Sequence, residues 1–234
     1  MSAFFNKIVV AMIEQNIKNL FEEIPKTNPF GEEITVVAAV KFQTIEDINR
    51  AIKAGITDIG DNHVQEFRDK FEHIEGNPRR HFIGRLQTNK IKYLLGKCDL
   101  YQSVDRFSLA EKLSQMSAAK DVTSDVLIEI NIGGELSKGG FSPQEAQDAY
   151  EKIKALSHLK VRGFMAMLPL DASEEQSICL AKHMREIYDS VRAYDGDCTC
   201  LSMGMSGDWK ICVEAGSNMI RLGTSIFGER VHKN

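Results

Sequence analysis

A lysine that closes an apolar run is a natural place to look for carbonyl chemistry. Lys41 directly follows Val36-Val37-Ala38-Ala39-Val40. At the end of such a run the ammonium loses part of its water, which favours the neutral amine, and a neutral amine can attack an aldehyde to give a Schiff base. A lysine there can equally snorkel to the rim of a sheet and do no chemistry. A second group of residues points to an anion. Gly204-Met205-Ser206-Gly207 and Gly223-Thr224-Ser225 each follow a short apolar run and precede a helical pattern. Free backbone N–H groups at a helix start favour a phosphate, and Ser206 and Thr224 would add hydroxyl donors. The same glycines could serve only to turn the chain.

Taken together, the two features select a ligand that carries both an aldehyde and a phosphate. Pyridoxal 5′-phosphate (PLP) satisfies both demands, as does a phosphosugar handled by a Schiff-base aldolase. Arg221, just before the second glycine segment, could face a pyridine nitrogen and keep it unprotonated, or form an ordinary ion pair at the rim. Cys198-Thr199-Cys200 has no second Cys/His pair nearby, so no metal centre is expected.

The elements that must position these residues can be read from periodicity. An N-terminal helix with its lead-in occupies residues 1–30, with Phe5, Ile8, Val9, Met12, Ile17, Leu20 and Phe21 at helical spacing. Strand patterns then fall at 36–40, 57–60, 81–84, 100–104, 126–132, 161–167, 201–205 and 219–222. Helix patterns lie between them. Thr44 and Asp47 cap the first, with Ile45, Ile48 and Ile52 on its face and Gly55 at its end. The others run through Val64, Phe67 and Phe71, through Ile91, Leu94 and Leu95, and through Leu109, Leu113 and Met116. Ser142-Pro143-Gln144-Glu145 and the Ser173/Gln176 pair are capping signatures. The latter opens a helix through Ala181, Met184, Ile187 and Val191, and Trp209 and Val213 mark a last short one.

Eight strand–helix units in a chain of 234 residues, with no linker or repeat, predict an α/β fold: a single (β/α)8 TIM barrel over residues 1–234 with an extra N-terminal helix. An open doubly wound sheet would carry a glycine-rich dinucleotide fingerprint after its first strand, and none is present. In a barrel, chemistry belongs at the C-terminal ends of the strands. Lys41, Asp61, Asn62, Arg85, Ser103, Asp105, Asn131, Ser202, Ser206, Arg221, Gly223 and Thr224 fall there.

Composition excludes other classes. A net charge of −4 and 26% charged residues draw the chain neither to nucleic acid nor to an anionic membrane. There is no apolar stretch long enough for a span and no signal peptide. The odd count of five cysteines argues for reduced thiols and a cytoplasmic location.

From Val36 to Arg230 the sequence resembles the pyridoxal phosphate homeostasis family, whose barrel looks like that of alanine racemase. The resemblance rests on residues 37–41, 81–90, 103–106, 131–140 and 162–165 and on Gly60-Asp61-Asn62-His63-Val64-Gln65-Glu66. Most specific are Leu201-Ser202-Met203-Gly204-Met205-Ser206-Gly207-Asp208 and Ile220-Arg221-Leu222-Gly223-Thr224-Ser225-Ile226-Phe227-Gly228. It implies PLP held as a Schiff base on Lys41 and a pocket lined by Asn62. It also implies a phosphate cup of Ser206, Gly223 and Thr224, Arg221 on the pyridine side, and Lys138 at the pocket mouth as a transfer lysine. The implied role is intracellular B6 and amino-acid homeostasis, without robust turnover and with PLP-dependent apo-enzymes as partners. Two positions depart from the family pattern: Gln43 stands where a lysine is frequent, and His63 where a tyrosine usually follows the asparagine. A PLP-dependent racemase is the alternative, but its second base in related barrels comes from a further domain, and the sequence stops shortly after the barrel. A monomer is expected.

Overall fold

The computed structural model describes residues 2–135 and 138–229, with side chains from residue 12 onward. Leu136, Ser137 and Arg230 of the resembling stretches, and the side chains of Phe5, Ile8 and Val9, lie outside the described residues.

Among the described residues, eight parallel strands close a barrel in the order β1 to β8. They are β1 (Thr35–Ala39), β2 (Asp58–Asp61), β3 (Arg79–Phe82), β4 (Leu100–Val104), β5 (Ser124–Ile130), β6 (Leu159–Ala166), β7 (Cys200–Ser202) and β8 (Met219–Leu222). The barrel closes where Val37 of β1 pairs with Arg221 of β8. The helices are α1 (Ser2–Glu23), α2 (Ile45–Lys53), α3 (Val64–Lys70), α4 (Phe107–Ala119), α5 (Ala146–Lys154), α6 (Glu174–Arg192), α7 (Trp209–Glu214) and α8 (Thr224–Phe227). The capping signatures act as the sequence predicts: the Thr44 hydroxyl accepts the Asp47 N–H, and Ser142–Glu145 and Ser173–Gln176 form reciprocal capping boxes.

Strand parity sorts the side chains. Val37, Leu100, Leu127, Met165 and Met219 fill the barrel interior. Their neighbours Ala38, Val40, Ile59, Ile220 and Leu222 face outward onto the helices. Side chains alternate with period two, so the inward series from Val37 continues through Ala39 to Lys41, and that from Met219 through Arg221 to Gly223. The alternation therefore sets Lys41 and Arg221 on neighbouring inward rows at the same end of the barrel.

The extra helix has a structural reason. α8 is a single turn and cannot cover the outer face of β8 and β1. α1 does so instead, through Ile13, Ile17 and Leu20, with Ile24 just past its end, all buried in the cluster with Trp209 and Ile226, and the Asn16 amide donates to the Ile226 carbonyl at 3.0 Å. Met12 and Phe21, expected on that face, are instead 49% and 45% exposed, because the buried stripe follows the 13–17–20–24 spacing. Two further expectations are corrected. The helix expected through Ile91, Leu94 and Leu95 is a 3₁₀ segment, Thr88–Tyr93. β7 stops at Ser202 rather than 205, since Gly204 turns the chain out of extended geometry at φ 104°. No described helix is long and apolar enough to cross a membrane.

Candidate functional site

At the C-terminal end of the barrel lies a cleft of about 900 Å³ whose lining includes Ala39, Lys41, Met205, Ser206, Gly207, Asp208, Arg221, Gly223 and Thr224. Five of the seven residues expected at the site thus share one cleft although they come from three separate strand ends. Lys41 is half-buried there. It occupies the second position of a turn closed by the Gln43 N–H on the Val40 carbonyl at 3.1 Å.

The residues expected to form an anion cup meet at the Ser206 hydroxyl. The N–H groups of Gly223 and Ser225 both donate to the Ser206 hydroxyl oxygen, at 3.3 and 3.2 Å. That oxygen accepts twice and still has its own proton to donate. Gly223 has room: an added Cβ would come no closer than 3.7 Å to Ala39. α7 and α8 are short and carry little helix dipole, so an anion here would meet individual donors, the Ser206 hydroxyl foremost, more than the two converging helix dipoles expected. Ser206 and Thr224 are each expected to give a charge-assisted hydrogen bond worth about 1.5–3 kcal/mol to a phosphate dianion. Ser206→Ala or Thr224→Val should then weaken binding of the phosphorylated ligand by about ten-fold or more and that of unphosphorylated pyridoxal far less. Titration of each variant with both ligands checks this, and equal losses would place the hydroxyls away from the phosphate.

Arg221 is buried inside the barrel and, among the described residues, has no carboxylate in direct contact. Its guanidinium donates to the Ser202 hydroxyl at 2.6 Å and to the Ala166 carbonyl at 2.9 Å. The Ser202 hydroxyl donates to Gln102 Oε1 at 2.7 Å, and Gln102 Nε2 to His81 Nδ1 at 2.8 Å. This leaves His81 Nε2–H for Asp58 Oδ1 at 2.9 Å. All the protons run one way, from the buried cation to the buried carboxylate. Burial works to raise the Asp58 carboxyl, but hydrogen bonds from His81 and Thr57 hold it below the usual carboxylate range. Of these residues sequence reading singled out only Ser202 and Arg221. His81 and Gln102 carried one available signal, polarity at an inward position of an apolar strand.

Glu129 is a further residue that sequence reading missed. It shares the inward parity of Leu127 on β5, and burial, reinforced by Asp105, pushes its carboxyl up to about 7 against the pull of Arg221, Arg85 and Lys138.

Other expected residues have different places. Asn62 lies in a second cleft with His63, Arg85 and Arg106, one strand over from Lys41. Its Oδ1 is buried without a hydrogen-bond partner among the described residues, and Gly84 allows the close approach, since a Cβ there would meet the Asn62 carbonyl at 2.1 Å. Lys138 lines neither cleft and pairs with Glu135. Ser103 is spent on the Gly84 carbonyl and Asn131 on Glu135 backbone groups. His63 packs its ring 5.1 Å from that of Phe42, beside Lys41.

Asp61 corrects a prediction. Its parity with Ile59 turns it out of the barrel, where Oδ1 has no partner among the described residues. Burial pushes its carboxyl up to about 7, opposed by Lys70 and Arg80 and aided by Glu66. A carboxyl raised in the folded state keeps its proton longer there than in the unfolded chain. Its cost is absent below about pH 4, grows as pH rises to about 7, and is constant above. Asp61→Asn should therefore gain stability relative to the parent between pH 5 and pH 8. The gain grows by about 1.4 kcal/mol for each pH unit up to about pH 7, where it levels off at a few kcal/mol at most. Thermal melts at the two pH values test it; a gap that does not widen with pH counts against it.

The alanine racemase N-terminal domain family model matches residues 8–231. The pyridoxal phosphate homeostasis protein of Aquifex aeolicus is 39% identical over 197 residues, 83% of this chain and 86% of that protein. A crystal structure of an unknown protein from Bifidobacterium adolescentis superposes with a TM-score of 0.87 at 29% identity, covering 94% of this chain and 96% of that one. PipY of Synechococcus elongatus PCC7942 with PLP bound gives a TM-score of 0.81 at 26% identity, covering 92% and 100%.

Proposed function

Since this chain belongs to the pyridoxal phosphate homeostasis proteins, within the alanine racemase N-terminal domain family, we propose that it binds PLP through Lys41 and serves intracellular B6 and amino-acid homeostasis. The observation that carries this reading is the single cleft that gathers Lys41, Ser206, Arg221, Gly223 and Thr224. Its donor set fits the group. Two N–H groups converge on a serine hydroxyl for the phosphate, an amine stands on the neighbouring strand end for the aldehyde, and a buried guanidinium serves the pyridine nitrogen.

When bound, PLP supplies an aldehyde carbon to which an amine adds with loss of water. The chain's residues do the rest. Ser206 and Thr224 hold the phosphate end. Arg221, held by Ser202 and the Ala166 carbonyl, would set a fixed positive charge toward the ring nitrogen and disfavour its protonation. The transfer role of Lys138 rests on the family resemblance alone, since its side chain lies outside the cleft and is paired to Glu135. The family names favour this reading over a racemase. A monomer and a cytoplasmic setting belong to the same proposal; the five cysteines are all free thiols.

The test is retention. Protein mixed with PLP and passed through a desalting column should keep about one equivalent, with visible absorbance. A protein that emerges colourless after loading would overturn the reading.

A further inference from the structure

Lys41 sits on a turn whose shape its own residues disfavour. Phe42, the next residue, has φ 63°. That is the left-handed region, where a bulky side chain is strained and glycine is not. With the Gln43 N–H closing on the Val40 carbonyl, this is the pattern of a type II turn. A phenylalanine left to its preference would flip the intervening peptide to the type I form.

An ion pair on α3 opposes that flip. Glu66 Oε2 accepts the Phe42 N–H at 2.8 Å. The same oxygen accepts Lys70 Nζ at 2.6 Å, and Lys70 Nζ also donates to the Val40 carbonyl at 3.3 Å. The peptide groups on both sides of Lys41 are thus gripped by one pair, a helical turn apart. The pair is no ordinary surface bridge: the Lys70 and Glu66 side chains are 13% and 22% exposed. Although burial raises the Glu66 carboxyl, the hydrogen bonds from Lys70 and the Phe42 N–H keep it below its usual range.

We infer that Glu66 and Lys70 are positioning residues that lock the Lys41 turn and so aim the amine into the cleft. The allowed rotamers of a side chain depend on its φ and ψ, so a flipped peptide after Lys41 would redirect its stem. The inference deepens the reading of Lys41 as the cofactor-bearing lysine and rests on it.

Two ligands separate aiming from binding: PLP, which can bond to the amine, and pyridoxine 5′-phosphate, which has the phosphate and ring but no aldehyde. In Glu66→Ala, covalent attachment of PLP should slow by about ten-fold or more, the loss expected for a charge-assisted hydrogen bond. Affinity for pyridoxine 5′-phosphate should change less than about two-fold, well under what such a bond supplies. Glu66→Gln keeps an acceptor for the Phe42 N–H and should fall in between. Adding Phe42→Gly to Glu66→Ala should restore most of the rate, because glycine adopts the left-handed conformation freely. Hydrogen exchange of the Phe42 amide, measured without any cofactor, should speed up in Glu66→Ala. The inference fails if that exchange is unchanged, if both ligands lose equally, or if the glycine does not rescue. A Lys41→Ala protein that still binds PLP covalently would sink the lysine assignment instead, and the amide exchange would still report on the turn.

Discussion

Replacing Lys41 by alanine is expected to erase the visible absorbance of the PLP-loaded protein while leaving the fold intact. The loss should be complete, because Lys41 is the one lysine that lines the cleft among the described residues. The cost to stability should be small. Lys41 is half-buried on a turn, belongs to none of the buried clusters, and the bond that closes the turn runs between Gln43 and Val40. The neighbouring lysines are engaged elsewhere: Lys70 with Glu66 and the Val40 carbonyl, and Lys138 with Glu135. Borohydride reduction of the loaded parent followed by peptide mass spectrometry should find the phosphopyridoxyl group on Lys41. The phosphate cup is untouched by the substitution, so the alanine variant should still bind pyridoxine 5′-phosphate. An adduct on another lysine, with the absorbance retained, would show the assignment to be wrong.

The second large effect concerns turnover. The protein loaded with PLP should accept amino acids yet exchange their α-proton slowly. A two-base racemase needs an acid/base group on each face of the substrate carbon. Lys41 can serve one face. The other titratable groups that line the cleft among the described residues, apart from Arg221, are Glu174, Asp208 and Glu229, and Asp208 already accepts the Met205 N–H. If Arg221 faces the ring nitrogen, as proposed above, it adds a second handicap. A permanent cation beside the ring nitrogen disfavours its protonation, and an unprotonated ring is a poorer sink for the electron pair left when the α-proton departs. Lack of a positioned base alone costs about 10²–10⁴ in rate. Deuterium exchange on a panel of L- and D-amino acids at saturating cofactor measures this directly. Turnover of about 1 s⁻¹ or more, in the ordinary enzyme range, on any of them would promote the racemase alternative.

Much of this was legible in the sequence because it is written locally. Strand periodicity and capping pairs depend on residues a few positions apart, so the barrel and its eight units could be read in order. Lys41 was visible for the same reason, as a charge at the end of an apolar run. Ser206, Gly223 and Thr224 were visible as glycine-rich turns after strands. What the sequence could not decide was which way a polar residue at a strand end faces. Asp61 and Asn62 are adjacent in sequence, yet Asp61 points out of the barrel, toward the charges of Lys70 and Arg80, and Asn62 lines a cleft. Glu129, in the middle of an apolar strand, points to the barrel mouth. A single step of register exchanges the two faces, and the register is set by barrel closure and by irregularities such as the shift between β4 and β5. The same holds for the groups that support Arg221 and Lys41. Gln102 meets Ser202 across 100 residues and Phe42 meets Glu66 across 24. No local pattern records such pairs, because each contact is made only when the strands close and a buried donor must find an acceptor.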